Sequence, residues 1–299
     1  SLEAWDFILS WFENAFAQTG DPFGVGKIGS QLREVMGRSP VMWGNLHLNR
    51  KGRRLKGLGV RLRGLVHADG GTAWNLGDSF YPYWEPADVC AIRDNDRLLS
   101  LLVVWAGKGK REEAGYRLSI VDQTRGEDRY RHALLVTDAP DSEKLFEPLP
   151  ISHCSETVID SLLIMADGGS STLRVFNLKS FFRAASDSSK ANVGLLSHSL
   201  YARNYRYILP QVGALAVPDG LVPEAIGSAS GYGEQAMVIA GRPAGNVGAS
   251  RRVLVCQLQE DRLKLVPGRE ESEIQCDGRV CGIGCSGGLV TALAGEGRK

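Results

Sequence analysis

Across 299 residues no apolar run reaches the roughly 18–20 residues needed to cross a membrane as a helix. Neither charge sign dominates. Lys and Arg number 35 against 34 Asp and Glu, a net charge of +1, so no long-range field draws the chain toward nucleic acid or an anionic membrane. No Asn-x-Ser/Thr sequon occurs, and no Cys-x-x-Cys. Residue 1 is Ser with no signal-peptide pattern after it, so the compartment is not read from this end. Hydrophobic residues make up 43% and charged residues 23%, which excludes disorder as the default state. Gly 36 and Pro 12 together make 48 of 299 residues, a turn-rich total that favours many short strands with tight turns over long helices.

Six cysteines are present: Cys90, Cys154, Cys256, Cys276, Cys281 and Cys285. A chain this long builds a core without staples. The cluster CDGRVCGIGC at 276–285 lacks metal-ligand spacing, and no His follows His198. Buried strand thiols or one local disulfide are the expectation.

Residues 1–18 place Leu2, Trp5, Ile8, Leu9, Phe12 and Phe16 at three- and four-residue spacing, one apolar face of a helix. That face is too aromatic to stay solvated. It docks on its own body or on a protein partner, and Trp5, Ile8, Phe12 and Phe16 are the candidate partner-binding residues. The segment holds acids and no Lys or Arg, which disfavours a membrane-surface helix. A short helix is expected near 30–36. Residues 50–63, RKGRRLKGLGVRLR, carry seven basic residues and no acid. Three glycines, the alternation from Val60 to Arg63 and the lack of interleaved aromatics predict a turn and a half-exposed strand, not a nucleic-acid site.

From residue 97 a unit recurs: an apolar strand, a polar Gly-rich turn, then an alternating strand. It occupies 97–122, 157–178, 234–258 and 279–295, at intervals of roughly 60–75 residues, longer than a regular WD repeat. The expected fold is all-β: an irregular β-propeller of five or six blades over 41–299, with a helical and loop extension at 1–40. A β-sandwich is the rival.

Tyr130-Arg131-His132 followed by ALLV, the strand LRVFN at 173–177 and YRYILPQ at 205–211 resemble segments of a family of mostly secreted bacterial proteins. The match keeps its order across 78–215 and continues more weakly to 295. The resemblance implies a propeller-like fold and a secreted or organelle-lumenal location, and it brings no established activity. The chain departs from the family at Pro86-Ala87-Asp88 and at His153-Cys154-Ser155-Glu156, so a family site built on those segments is altered here.

For chemistry, Glu85, Asp88, His153, Glu156 and Asp167 lie on segments entering inner strands. Lactonase-like propellers hold Ca²⁺ with such residues, and oxygen donors of this kind suit that ion. Tyr81, Tyr83 and Trp84 form an aromatic loop suited to a flat ligand. GCSGG at 284–288 fits Gly-x-Ser-x-Gly, but no His follows Ser286, so the α/β-hydrolase order fails. A His–Asp–Ser order stays open, since His and Asp residues lie upstream of Ser286. Gly282-x-Gly284-x-x-Gly287 lacks the following helix and acid of a dinucleotide site. His132 reads as a strand residue with a satisfied hydrogen bond. The function expected is a non-catalytic binding or scaffold module, a subunit or accessory of a larger protein assembly. The alternative is a divalent-metal hydrolase with a central-channel site.

Overall fold

A computed structural model describes residues 23–41, 53–54, 56–58, 71–75, 78, 83–94, 97–107, 115–122, 129–140, 143–150, 155–185, 192–233, 235–245, 250–267, 272–276, 278–286 and 289–295. The chain opens with α1 (Gly26–Met36), then β1 (Arg53–Arg54), β2 (Lys56–Leu58), β3 (Gly71–Ala73), β4 (Trp84–Asp94), β5 (Arg97–Gly107) and β6 (Tyr116–Asp122). Next come β7 (Arg129–Asp138), β8 (Phe146–Pro148), β9 (Glu156–Ile159), β10 (Leu162–Ala166), β11 (Thr172–Asn177), β12 (Phe182–Arg183), β13 (Val193–Leu196) and β14 (Ser199–Ala202). The remainder is β15 (Tyr207–Ala216), β16 (Leu221–Ser230), β17 (Ala236–Pro243), β18 (Ser250–Gln259), β19 (Arg262–Leu265), β20 (Ser272–Gln275), β21 (Arg279–Ser286) and β22 (Leu289–Gly295). The protein is mostly β; among the described residues only α1, one short 3-10 turn and the helical position Asp78 depart from that. No described helix is long and apolar enough to cross a membrane.

The first sheet runs β4-β5-β6-β7-β15-β11-β10-β9. Its last strand returns toward its first, where the Glu156 N–H donates to Asp88 Oδ2 at 2.8 Å. The result is a nearly closed, barrel-like sheet. One neighbour pair on this path is parallel: β15 runs beside β7, with Ile208 opposite Leu134 and Pro210 opposite Val136. Strand alternation sorts the side chains. Leu118 and Ile120 of β6, Ala133 and Leu135 of β7, and Leu163, Met165 and Phe176 of β10 and β11 fill the inside. Leu134 and Val136 point outward, where Ile28 and Leu32 of α1 cover them with Phe182 and Ile208. The helix expected near 30–36 is thus present, starts earlier, and sits in the core. It ends at Gly37, whose φ of 60° is the left-handed C-terminal conformation and whose N–H bonds Arg33 O.

The second sheet runs β19-β18-β17-β16-β21-β22. Ile226, Met237, Ile239 and Leu254 on one face pack with Ile164, Leu173 and Val175 from the outside of β10 and β11. The other face, Ala225, Ala229, Val238 and Ala240, lies against Val280 and Cys285 of β21. The hairpin units expected from the repeat are all present: β5–β6, β9–β10–β11, β17–β18 and β21–β22. They fall into one eleven-stranded and one seven-stranded sheet, in which parallel ladders join distant units, while β2–β3 and β13–β14 form two separate two-stranded sheets. The free cysteines include buried Cys256 and Cys285, half-buried Cys90 and Cys276, and Cys281, which is exposed rather than buried.

Candidate functional site

The outer face of β5–β7 carries polar side chains where a covered sheet face would carry aliphatic ones. The register sets Trp105 opposite Arg117, Ser119 opposite His132, and Val121 opposite Tyr130. Period-two alternation therefore puts Trp105, Arg117, Ser119, Tyr130 and His132 on one surface. Trp74 covers it, with its ring 4.9 Å from Trp105 and 4.8 Å from Tyr130, edge to face. Asp78 is brought over it by the Asp78 N–H bond to Asn75 O, and Asn75 N–H donates to the Tyr130 hydroxyl.

Asp78 is the hub, and it is 5% exposed. Its Oδ2 accepts from the Tyr130 hydroxyl at 2.5 Å and from Arg53 Nη1 at 2.6 Å. Its Oδ1 faces His132 Nε2 at 3.2 Å, off the hydrogen-bond axis, and Arg117 Nη1 at 3.7 Å. Trp105 Nε1 donates to Ser119 Oγ at 2.7 Å, and Ser119 Oγ lies 2.7 Å from His132 Nδ1. Indole is donor only, so the serine proton goes to Nδ1 and the neutral imidazole carries its own on Nε2, toward Asp78.

Burial by itself would raise the Asp78 carboxyl. Contacts with His132, Arg53 and Tyr130 outweigh it and hold the group well below the usual carboxylate range. Burial pushes His132 down to about 4, with the Arg117 and Arg53 charges adding and Asp78 opposing. At neutral pH the imidazole is therefore uncharged, and the nearest cation holding Asp78 ionised is Arg53. Burial and the bond to Asp78 push the Tyr130 phenol up to about 12.

Arg117 is 3% exposed. Its guanidinium stacks between Trp84, 4.8 Å away, and Trp105, 4.7 Å away. Tyr205 closes the ring of aromatics, 6.3 Å from Trp84 and 6.4 Å from His132. The Nε and Nη2 atoms of Arg117 have no hydrogen-bond partner among the described residues. A buried donor without one costs about 1–3 kcal/mol.

Ser119, His132 and Asp78 have the residue types of a hydrolytic triad, yet the arrangement does not suit attack. Ser119 is 0% exposed at the middle of a strand, its oxygen already accepts the Trp105 N–H, and the adjacent strands occupy its backbone ladder. The network holds Asp78 and its covering segment onto the sheet. Its pH dependence follows. The unfolded chain protonates histidine near pH 6.5, whereas His132 in the fold stays neutral down to about 4. Between these values the unfolded state binds more protons, so stability falls as pH falls, by up to about 1.4 kcal/mol per unit. The depressed Asp78 adds further loss below about pH 4, and Tyr130 brings loss between about pH 10 and 12, where only the unfolded phenol is ionised. Melting temperatures of wild type and His132→Gln across pH 4–7 check this. The variant is expected to lose the slope, and parallel profiles would refute it.

The structure brings some sequence candidates together and separates others. Asp88 and Glu156 meet at the β4–β9 seam. Cys90 lies beside them, its thiol 3.8 Å from Glu156 Oε1 and pushed up by burial and then by the charges of Glu156 and Asp88. Asp167 instead pairs with Arg174 at 2.8 Å and caps the turn at Gly169. Glu85 is exposed on β4. His153 and Tyr81 lie outside the described residues, as do Trp5, Ile8, Phe12 and Phe16. Among the described residues no three metal-ligating side chains converge. Of the aromatic loop, Tyr83 is 38% exposed and Trp84 joins the Arg117 clamp. Sequence reading missed Asp78, Arg117 and Ser119. The available signal was the strand YRLSIVD at 116–122, whose Arg117 and Ser119 share a period-two face with nothing polar to explain them until Tyr130-Arg131-His132 is laid opposite.

Comparison with family models, curated proteins and solved structures finds no match to this chain.

Proposed function

We propose that the chain is a non-catalytic binding or scaffold module, a subunit or accessory of a larger protein assembly. The observation that carries this reading is the outer face of the β21–β22 hairpin. Strand β22, LVTALAG, ends the second sheet and holds no charged residue or proline. Edge strands left this way are open to pairing with another chain. Leu289 and Leu293 are 72% and 68% exposed on one face, and the residues opposite on that face are Ser286, Gly284 and Gly282. Two leucines stand beside a floor without bulk, which suits an extended apolar segment of a partner laid along the edge. The apolar face of residues 1–18 is the second contact in this reading. The body behind both is the barrel-like sheet with its attached second sheet. The finer picture of five or six blades would need the hairpins to radiate as separate sheets, and the parallel ladders favour the joined arrangement.

The test compares proteins retained from a native extract by wild type, by Leu289→Asp/Leu293→Asp and by a chain lacking residues 1–18. Both leucines are exposed, so the double variant is expected to keep the wild-type melting temperature within a few degrees. Loss of a retained protein with either variant supports the reading. An identical set with all three sinks it. The alternative, a metal-dependent hydrolase, rests on the carboxylates of Asp88 and Glu156, both close enough to Cys90 to push its thiol up. A melting temperature that falls in EDTA and recovers with Ca²⁺ would move the assignment there.

A further inference from the structure

Among the described groups of the aromatic-lined cluster, Arg53 and Arg117 carry two positive charges and Asp78 one negative, while His132 is neutral at pH 7. One positive charge is left over; Arg117 and Asp78 are buried, whereas the Arg53 side chain is 56% exposed, so Arg117 is the cation held away from water. Asp78 spends Oδ2 on Arg53 and Tyr130, and its Oδ1 reaches Arg117 only at 3.7 Å through Nη1. The Nε–Nη2 edge of the guanidinium, the edge that takes a carboxylate with two parallel hydrogen bonds, donates to nothing among the described residues. The stacking on Trp84 and Trp105 fixes the plane in which such an acceptor must lie. Trp105 is buried, Trp84 is half-buried and Tyr83 beside it is exposed, so Trp84 is the solvent side of the clamp.

We propose that Arg117 anchors a binding site for a small organic monocarboxylate, held side-on by Nε and Nη2, with Trp84, Tyr83 and Tyr205 receiving its apolar part. A single buried guanidinium edge favours a monoanion over a phosphate dianion, and the aromatic rim selects a ligand with an apolar body. Entry goes past Trp84, whose ring swings aside on its own side-chain torsions. The site is independent of the β21–β22 edge and goes beyond the scaffold reading.

Benzoate is the probe, with sodium phosphate and sodium chloride at matched ionic strength. In the full chain with ¹⁵N-labelled arginine, the Arg117 Nε resonance, assigned by its loss in Arg117→Lys, is expected to move saturably with benzoate and not with chloride. The melting temperature is expected to rise with benzoate in wild type. Arg117→Lys keeps the charge but loses the two-donor edge, and it is expected to weaken binding at least tenfold. Trp84→Leu is expected to weaken it while leaving acetate unaffected, since acetate has no body to stack. An unmoved resonance would show a purely structural stacked arginine and overturn the proposal. So would an equal response to phosphate, or an undiminished benzoate effect in Arg117→Lys. If Arg117→Lys does not fold, the wild-type titration against the three salts decides alone, with the moving resonance assigned through the arginine backbone.

Discussion

Asp78→Ala is expected to lower stability by about 4 kcal/mol, because removing one partner of a buried charge network leaves the others uncompensated. Arg117 and His132 would remain buried with no anion before them, and the Tyr130 hydroxyl and Arg53 would each lose a short bond. In a chain of this size that corresponds to a fall of roughly 10 °C in melting temperature. Urea unfolding followed by tryptophan fluorescence measures it, since Trp74 and Trp105 sit on the network. Asp78→Asn separates charge from hydrogen bonding. It keeps one acceptor oxygen for Tyr130 and loses the charge, so it should fall between wild type and Ala. A loss below about 1 kcal/mol for Asp78→Ala would mean that the network does not hold the sheet's outer cover in place.

Gly227→Ala is expected to cost about 3 kcal/mol or more and to act locally. A Cβ at Gly227 would lie 1.9 Å from the Ile283 carbonyl oxygen and 2.9 Å from its carbon. Both atoms are backbone, so no side chain can rotate away, and β21 must move off β16. That is a glycine serving close approach of two strands. The hairpin β21–β22 would lift, uncovering Val280 and Cys285. Hydrogen exchange should quicken in β21 and β22 and stay unchanged in β5–β7. Gly284→Ala is the control: nothing lies within 4 Å of its added Cβ, and near-wild-type stability is expected. Equal stability of the two variants would contradict the packing described for this hairpin.

The local elements were legible because the signals are local. Leu173-Arg174-Val175-Phe176-Asn177 alternates, and it forms β11 with Leu173 and Val175 facing one core and Phe176 the other. Gly-rich breaks between 107 and 115 and between 243 and 250 fell between paired strands, as turn chemistry requires. What joins the hairpins was not legible. Tyr207 to Ala216 reads equally well as the outer strand of a small sheet or as a partner for β7, since both demand the same alternating residues. The site followed the same division. Trp84 and His132 were visible by type, but Asp78 is one acid among 34 and becomes a hub only once it lies across the sheet. Asp167 illustrates the converse: an acid at the right place in sequence already held by Arg174 two strand residues into the next turn of chain.

The parallel ladder between β7 and β15 also imposes an order on synthesis. Strands β4 to β7 are consecutive hairpin partners and can pair as they leave the ribosome. Leu134, Leu135 and Val136, however, must wait for Ile208, Leu209 and Pro210, with β8 to β14 made in between. During that interval β7 has an open apolar edge, the kind of surface on which nascent chains associate wrongly. Truncations ending before Tyr207 should therefore depend on chaperones far more than the full chain, and β16 repeats the situation on a smaller scale, waiting for β21 until β17 to β20 have been made.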